Sequence, residues 1–168
     1  MDALQSFGVV PAVASPREDS ATRTAREIQE QVLEDIQAFS STANPDVLPE
    51  LEQHLADLVR GVCGLLSPAG SADLSFVQQY ARRRAQQRFP LEASLHTYRC
   101  AHRVLSGWVR DAALAVADPS AQVRRVVAAA TDFVIEYTDV ISTAATSEYV
   151  LHTRILAEAE GDMRTELL

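Results

Sequence analysis

Apolar side chains recur every three to four residues along most of this chain. That spacing places them on one face of an α-helix. The repeat is most regular over residues 48–66 and 90–117. Strict alternation of apolar and polar residues, the pattern of a half-buried strand, occurs nowhere, and neither does an internal repeat. The pattern therefore predicts an all-α fold, a single bundle of five to six helices.

Polar and proline-containing segments separate the repeats. Thr24 and Glu27 form a capping box that predicts the start of the first helix. The segment 40–45 ends that helix, and the second runs to about residue 66. Ser71 or Asp73 is the predicted cap of the third helix.

The last predicted helix is unusually long, since no Gly or Pro follows Pro119 as far as Glu160. A continuous helix of that length spans roughly 60 Å, whereas a compact 150-residue domain is about 35–40 Å across. The β-branched and hydroxyl-bearing run at 141–147 is the predicted site of a bend or break. Beyond it, the amphipathic pattern continues to Leu168 without a stop signal, which predicts a fragment of a longer chain.

Two regions follow from these patterns. Residues 1–19 contain two prolines and no sustained period, and they predict a flexible leader. Residues 20–168 form the predicted helical domain.

The fourth helix carries the most informative segment, which begins at Pro90, a residue suited to a first helical turn. Its predicted inward face is apolar or aromatic except for His102. A parallel row is wholly polar and contains Arg99. The inward positions are Leu91, Leu95, Tyr98, His102, Leu105, Val109, Ala112 and Val116, and the polar ones are Glu92, His96, Arg99, Arg103, Ser106 and Arg110.

Composition narrows the class of protein. The 168 residues are 47% apolar and 23% charged, typical of a globular domain. The net charge of −8 argues against a general DNA-binding domain, because such domains need a positive surface. Cys63 and Cys100 are isolated, which favours free thiols in a reducing cytoplasm. No stretch approaches the roughly 20 apolar residues that span a bilayer, so we expect a cytoplasmic protein without membrane contact.

The residues offer little catalytic chemistry. Nucleophile elbows, phosphate-binding glycine loops and paired cysteines are all lacking in the sequence. His96 and His102 are six residues apart and fall on different helix faces, so the histidine spacing predicts no metal site. We therefore expect neither enzyme activity nor a metal or other cofactor.

Four side chains of the fourth helix are candidates for ligand binding or regulation: Tyr98, Arg99, His102 and Trp108. The unperturbed pKa of a histidine side chain lies near neutrality, so a change in its surroundings would change its charge, and this suits position 102 to sensing. A buried imidazole bonded to a backbone carbonyl or to Tyr98 is the favoured alternative. Arg99 either anchors an anionic ligand or ties two helices through Glu136 or Asp139; the tie is favoured.

Two further clusters concern surfaces. An apolar stripe on the last helix, which we expect to be exposed, predicts a homodimer interface; it consists of Phe133, Tyr137, Val140 and Ala144. The arginines at 82–84 point in three directions around a helix. They favour a solvated face with acidic partners over nucleic-acid binding.

The segment Phe89–Trp108 also carries a family resemblance. The order Pro-Leu, Leu-x-x-Tyr-Arg, x-x-His-Arg and Trp resembles the signature helix of the N-terminal domain of RsbRD-type stressosome proteins. That domain is found also ahead of PucR/CdaR-type transcription regulators in actinobacteria. The looser match extends from about Thr24 to the C-terminus as an order of helices. The sequence departs from the family at Cys100 and at Ser106-Gly107, where bulkier apolar residues are expected.

The resemblance implies a globin-like helical arrangement without haem and a cytoplasmic, non-catalytic regulatory module. It further implies the N-terminal domain of a PucR-like transcription regulator, which passes a small-molecule or protein signal, or its dimerisation state, through the C-terminal helix. DNA would be contacted only by an output domain absent from this chain. Two alternatives stay open: a globin-like ligand or cofactor sensor with a pocket along Tyr98, His102 and Trp108, and a stand-alone stressosome-type adaptor.

Overall fold

The computed structural model describes residues 18–67, 70–116 and 123–166, and these ranges contain six α-helices and no β-strand. The predicted all-α fold with a long C-terminal helix is confirmed. The predicted leader lies outside the described residues except for its last two positions, which belong to the first helix. The helices are α1 (Glu18–Asp35), α2 (Gln37–Ser40), α3 (Val47–Leu66), α4 (Ser75–Gln86), α5 (Leu91–Val116) and α6 (Val123–Glu166).

The five longer helices pack around one apolar core. Helix α5 contacts α1 and α6, α6 also contacts α4, and α3 contacts α1 and α4. Each fully buried Leu or Ile side chain contributes about 1.5–3 kcal/mol relative to exposure. The largest fully buried apolar and aromatic side chains are Tyr98, Phe39, Ile28, Leu51, Leu55, Leu58, Leu66, Leu105 and Ile141. None of the helices in the described ranges is both long and apolar enough to cross a membrane.

Helix α1 starts earlier than the capping box predicts. Thr24 lies inside the helix, where its hydroxyl donates a hydrogen bond to the Ser20 carbonyl at 2.9 Å. Because threonine satisfies its hydroxyl within a helix in this way, it is compatible with an interior position. The helix ends at Asp35, where Ile36 adopts an extended conformation before the short α2.

The predicted break at 141–147 is wrong, since α6 is continuous there. The hydroxyl of Ser142 donates to the Thr138 carbonyl at 2.6 Å, and that of Thr146 donates to the Ser142 carbonyl at 2.8 Å. Buried Ile141 and Ala145 add core contacts in the same stretch. Satisfied hydroxyls and tertiary packing together outweigh a weak helix propensity.

Helix α6 packs on the bundle as far as Tyr149 and is more exposed beyond it, where Glu160 still forms an ion pair with Arg88. Its 44 residues extend about 66 Å at 1.5 Å per residue. The Tyr149 hydroxyl donates to the Phe89 carbonyl at 2.7 Å. Beyond that bond, Val150, Leu151 and Ile155 are exposed. We call residues 150–162 the α6 tail.

The predicted exposed stripe on α6 is wrong for two of its four residues. Phe133 and Tyr137 are buried, and the Tyr137 hydroxyl donates to the Leu58 carbonyl at 2.7 Å. Val140 is 48% exposed, and Ala144 is partly buried against the core. The reason is that α6 packs on more than one helix, so its buried face is wider than a single stripe.

Candidate functional site

A groove of about 620 Å³ runs between α5 and α6 and reaches the C-terminal end of α1. We call it the α5–α6 groove. Its walls combine carboxylates, guanidinium groups, imidazoles and hydroxyls. The lining residues are Asp35, His96, Tyr98, Arg99, His102, Arg103, Ile135, Thr138, Asp139 and Ser142.

His102 bridges the two walls of this groove. Its Nδ1 lies 3.0 Å from the Thr138 hydroxyl oxygen. That hydroxyl donates its own proton to the Val134 carbonyl at 2.8 Å, so Nδ1–H is the donor to Thr138. In the neutral imidazole Nε2 is then left as an acceptor. The expected partner, a backbone carbonyl or Tyr98, is wrong; the partner is a hydroxyl on α6.

Arg99 is exposed at the same groove. It forms no ion pair with any residue in the described ranges, so the favoured tie to Glu136 or Asp139 is not made. Asp139 lines the groove as well. The guanidinium of Arg99 therefore keeps its donors available to a ligand.

Tyr98 lies between the groove and the interior of the bundle. Its side chain is buried and lines the groove, while its hydroxyl is hydrogen-bonded to His54 Nε2 at 3.1 Å. Burial raises the pKa of Tyr98 well above its usual value. The phenol therefore stays protonated at physiological pH.

Trp108 does not belong to this site. Its indole N–H donates to the Ser20 hydroxyl at 3.3 Å, which joins α5 to the start of α1. Of the four predicted regulatory residues, the structure brings Tyr98, Arg99 and His102 to one groove and places Trp108 in a separate pocket.

A second polar group lies inside the bundle, formed by His54, Tyr80, Arg84 and Tyr98. We call it the closed cluster. His54 is 2% exposed, and its ring stacks on Tyr80 with centroids 3.7 Å apart. Burial, together with the nearby charge of Arg84, lowers the pKa of His54 to about 3. The imidazole is therefore neutral in the folded protein.

Arg84 is the buried cation of the closed cluster. Its side chain is 0% exposed, and its guanidinium donates to the Val47 carbonyl at 2.9 Å and to Gln87 Oε1 at 2.7 Å. Glu50 Oε2 lies 3.2 Å away, and the ring centroid of Tyr80 lies 4.4 Å away. These contacts replace water at the two terminal nitrogens of the guanidinium, whereas Nε has no hydrogen-bond partner within the described residues.

The arginine prediction is thus confirmed at two positions and wrong at the third. Arg82 forms an ion pair with Glu148. Arg83 forms ion pairs with Glu50 and with Asp46. Arg84 points inward. Successive residues of a helix turn by about 100°, so a run of three on a helix packed on both sides must present one side chain to the core.

A third arrangement lies at the α1 end of the groove. Ligand-type atoms of Asp35, His96 and Cys100 are all within 4.8 Å of one another. Arg103 forms an ion pair with Asp35, and this pairing lowers the pKa of the Asp35 carboxyl. The sequence signal for this cluster is the spacing of His96 and Cys100, four residues apart on one helix.

Comparison with known proteins identifies a family. The sequence model of the family described as the RsbT co-antagonist protein rsbRD N-terminal domain matches residues 21–164. This range includes the groove, the closed cluster and the whole α6 tail. No curated protein and no solved structure matches the chain.

Proposed function

The chain belongs to the family of rsbRD N-terminal domains of RsbT co-antagonist proteins, and we propose that it is the sensory and regulatory domain of a PucR-like transcription regulator. In this proposal the domain is cytoplasmic and non-catalytic. It passes a small-molecule or protein signal, or its dimerisation state, through α6 to an output domain that follows in the full protein. With a net charge of −8, the domain leaves DNA contact to that output domain.

The observation that carries this proposal is the continuity of α6. The same helix contributes Thr138 and Ser142 to the groove and exposes Leu151 and Ile155 in its tail. Ser142 and Ile155 are separated by about 20 Å along the helix axis. A rotation or shift of α6 caused at the groove therefore moves the tail as well. Such helix shifts are a common way of passing a signal between domains.

The α6 tail supports a homodimer. Leu151 and Ile155 are four residues apart and share one face of the helix, and both are exposed. Val140, a predicted interface residue, is also exposed and lies nearer the N-terminus of the same helix. An apolar surface of this kind is suited to pairing with the same helix of a second copy. Phe133 and Tyr137 are excluded from that interface because they are buried.

Sedimentation tests the dimer. At about 50 μM, above the dissociation constant of ordinary dimers, we expect the chain to sediment as a dimer and Leu151→Glu/Ile155→Glu to sediment as a monomer. The matched control is Thr153→Glu, an exposed position on the opposite face of the tail, which should stay dimeric. A monomeric parent chain would contradict the pairing.

The gene tests the output domain. We expect the reading frame beyond Leu168 to encode a DNA-binding domain such as a helix-turn-helix. A stop codon directly after Leu168 would contradict the transcription-regulator proposal and favour a stand-alone stressosome-type adaptor.

The groove favours a second candidate function, that of a ligand or cofactor sensor. Arg99 offers unpaired donors and His102 Nε2 offers an acceptor in a cavity large enough for a small molecule. The charged lining suits a polar ligand better than haem. The absorption spectrum of the purified protein separates the cases: a Soret band that is lost in His102→Ala would establish a haem sensor.

A further inference from the structure

The C-terminal end of α1 faces the middle of α5 at a point where three different ligand types meet. Asp35 is the last residue of α1, and His96 and Cys100 stand on one face of α5. One carboxylate oxygen, one imidazole nitrogen and one sulfur lie within 4.8 Å of one another. His96 makes no hydrogen bond within the described part of the chain, so its ring nitrogens are available.

We propose that Asp35, His96 and Cys100 bind one zinc ion between α1 and α5. Zinc accepts sulfur, nitrogen and oxygen ligands in tetrahedral geometry at about 2.0–2.3 Å. Ligand atoms arranged around such an ion are a few ångströms apart, as they are here. A thiolate with an imidazole disfavours magnesium and calcium, which prefer oxygen ligands. Three protein ligands leave the fourth position to water.

The electrostatics of the site favour a cation. Asp35 lies at the C-terminus of α1, where the helix dipole is negative, and the last turn of α1 contains no basic residue. In the structure this negative end is compensated by Arg103, which pairs with Asp35 and approaches Cys100 Sγ at 3.4 Å. The Arg103 side chain is 55% exposed, so it has room to move into solvent when a metal ion enters.

Binding has a defined proton balance. The Cys100 thiol points at Asp35, with Sγ 3.8 Å from Oδ2. Coordination needs the thiolate, so the thiol proton leaves to solvent as the sulfur–zinc bond forms. No oxidant or further reactant is required.

The zinc site is independent of the proposed function. It needs neither a second copy nor an output domain, because all three ligands come from one chain. The bound ion would fix the end of α1 to α5 beside the groove. Failure of the site to bind zinc would leave the dimer and the role of α6 unaffected.

Cobalt titration of the reduced, tag-free chain tests the ligand set. We expect one equivalent of Co²⁺ to give the ultraviolet charge-transfer absorption of a cobalt–thiolate bond together with the visible bands of a tetrahedral ion. Cys100→Ser should abolish the charge-transfer absorption. The matched control Cys63→Ser removes the other free thiol and should leave it unchanged.

Zinc competition against bound cobalt measures the affinity. Loss of an outer-shell partner already lowers metal affinity by about 10–100-fold, so His96→Ala and Asp35→Asn should each lower it by at least that much. His102→Ala, the other groove imidazole, should bind as the parent chain does. Arg103→Ala should retain binding, since this arginine competes for Asp35.

Folding and coordination are separated by a thermal unfolding series followed by circular dichroism. Each variant should unfold cooperatively without metal. Zinc should raise the midpoint of the parent chain and of the variants that keep all three ligands, Cys63→Ser, His102→Ala and Arg103→Ala, but not that of the ligand variants. If Cys100→Ser does not fold, Asp35→Asn takes its place, because that substitution changes a more exposed side chain. Zinc should then fail to raise the unfolding midpoint of Asp35→Asn. Absence of thiolate absorption in the parent chain, or its persistence in Cys100→Ser, would overturn the site.

Discussion

The closed cluster and the α5–α6 groove use the same kinds of side chain on two sides of Tyr98. In the closed cluster, the imidazole of His54 and the guanidinium of Arg84 are buried and have fixed partners. In the groove, the imidazole of His102 is only partly buried and the guanidinium of Arg99 is exposed without an ion pair in the described ranges. One pair is committed to the fold, and the other is available to a ligand.

Burial accounts for the difference. A buried polar group is held by its partners because leaving it unpaired costs about 1–3 kcal/mol or more. A solvent-facing group exchanges water for a ligand at little cost. The closed cluster therefore specifies how α3, α4 and α5 pack. The groove, in contrast, can exchange water for a ligand without a change in this packing. Equivalent substitutions in the closed cluster and in the groove should therefore change the free energy of unfolding by unequal amounts.

Arg84→Ala should have the largest effect. It removes the donor to the Val47 carbonyl and leaves a cavity beside Tyr80. An unsatisfied buried carbonyl and a cavity of this kind together cost about 3–5 kcal/mol. We expect a loss of that size in the free energy of unfolding, measured by urea denaturation.

The control for this experiment is the neighbouring residue. Arg83→Ala removes an ion pair whose partners are solvated, and it should shift the urea midpoint much less, with the difference fading at high salt. If Arg84→Ala and Arg83→Ala lower the free energy of unfolding equally, Arg84 is not buried as described.

Acid should destabilise the fold through His54. Its pKa is lowered to about 3 in the folded chain, against about 6.5 when unfolded. Between these two pKa values His54 is protonated in the unfolded chain but neutral in the folded chain. The free energy of unfolding therefore has its full value above pH 6.5 and decreases as the pH falls towards 3. The loss due to this residue is about 2 kcal/mol at pH 5.

Urea denaturation at pH 7 and pH 5 measures the contribution of His54 when the parent chain is compared with His54→Gln. His54→Gln should be less sensitive to pH than the parent chain by the amount given above. An unchanged pH dependence in His54→Gln would mean that the buried imidazole is not the titrating group.

Tyr98→Phe tests the residue that the two regions share. The substitution leaves His54 Nε2 without its hydroxyl partner while the ring still fills the core. We expect a loss of about 1–2 kcal/mol, measured by the same denaturation. Metal and ligand binding at the groove should not change, because the hydroxyl points away from it.

The helices were predictable because their apolar spacing is regular. Helix α3 ends at Leu66, as the repeat predicts. The inward face of α5 was less predictable, since several buried positions are small or polar, among them Ser94, Thr97 and Cys100. Close packing of α5 against both α1 and α6 selects small side chains, which a hydrophobic repeat does not register.

The site was predictable only in part. Tyr98, Arg99 and His102 could be found because they share one helix and its signature. The burial of Arg84 could not be found, because it depends on partners from α3 that are more than thirty residues distant. Asp35 is sixty-five residues from Cys100, and its proximity to that thiol is a property of the fold alone.

His102→Ala should have the smallest effect and gives the sharpest contrast with the interior. Thr138 keeps a partner after the substitution, because its hydroxyl still donates to the Val134 carbonyl. The imidazole is only partly buried, so its removal exposes no unsatisfied core group. We expect a change within about 0.5 kcal/mol in urea denaturation, whereas His54→Ala, which empties a buried stacked position, should cost several times more. Comparable losses at the two histidines would show that the groove, like the closed cluster, is part of what holds the bundle together.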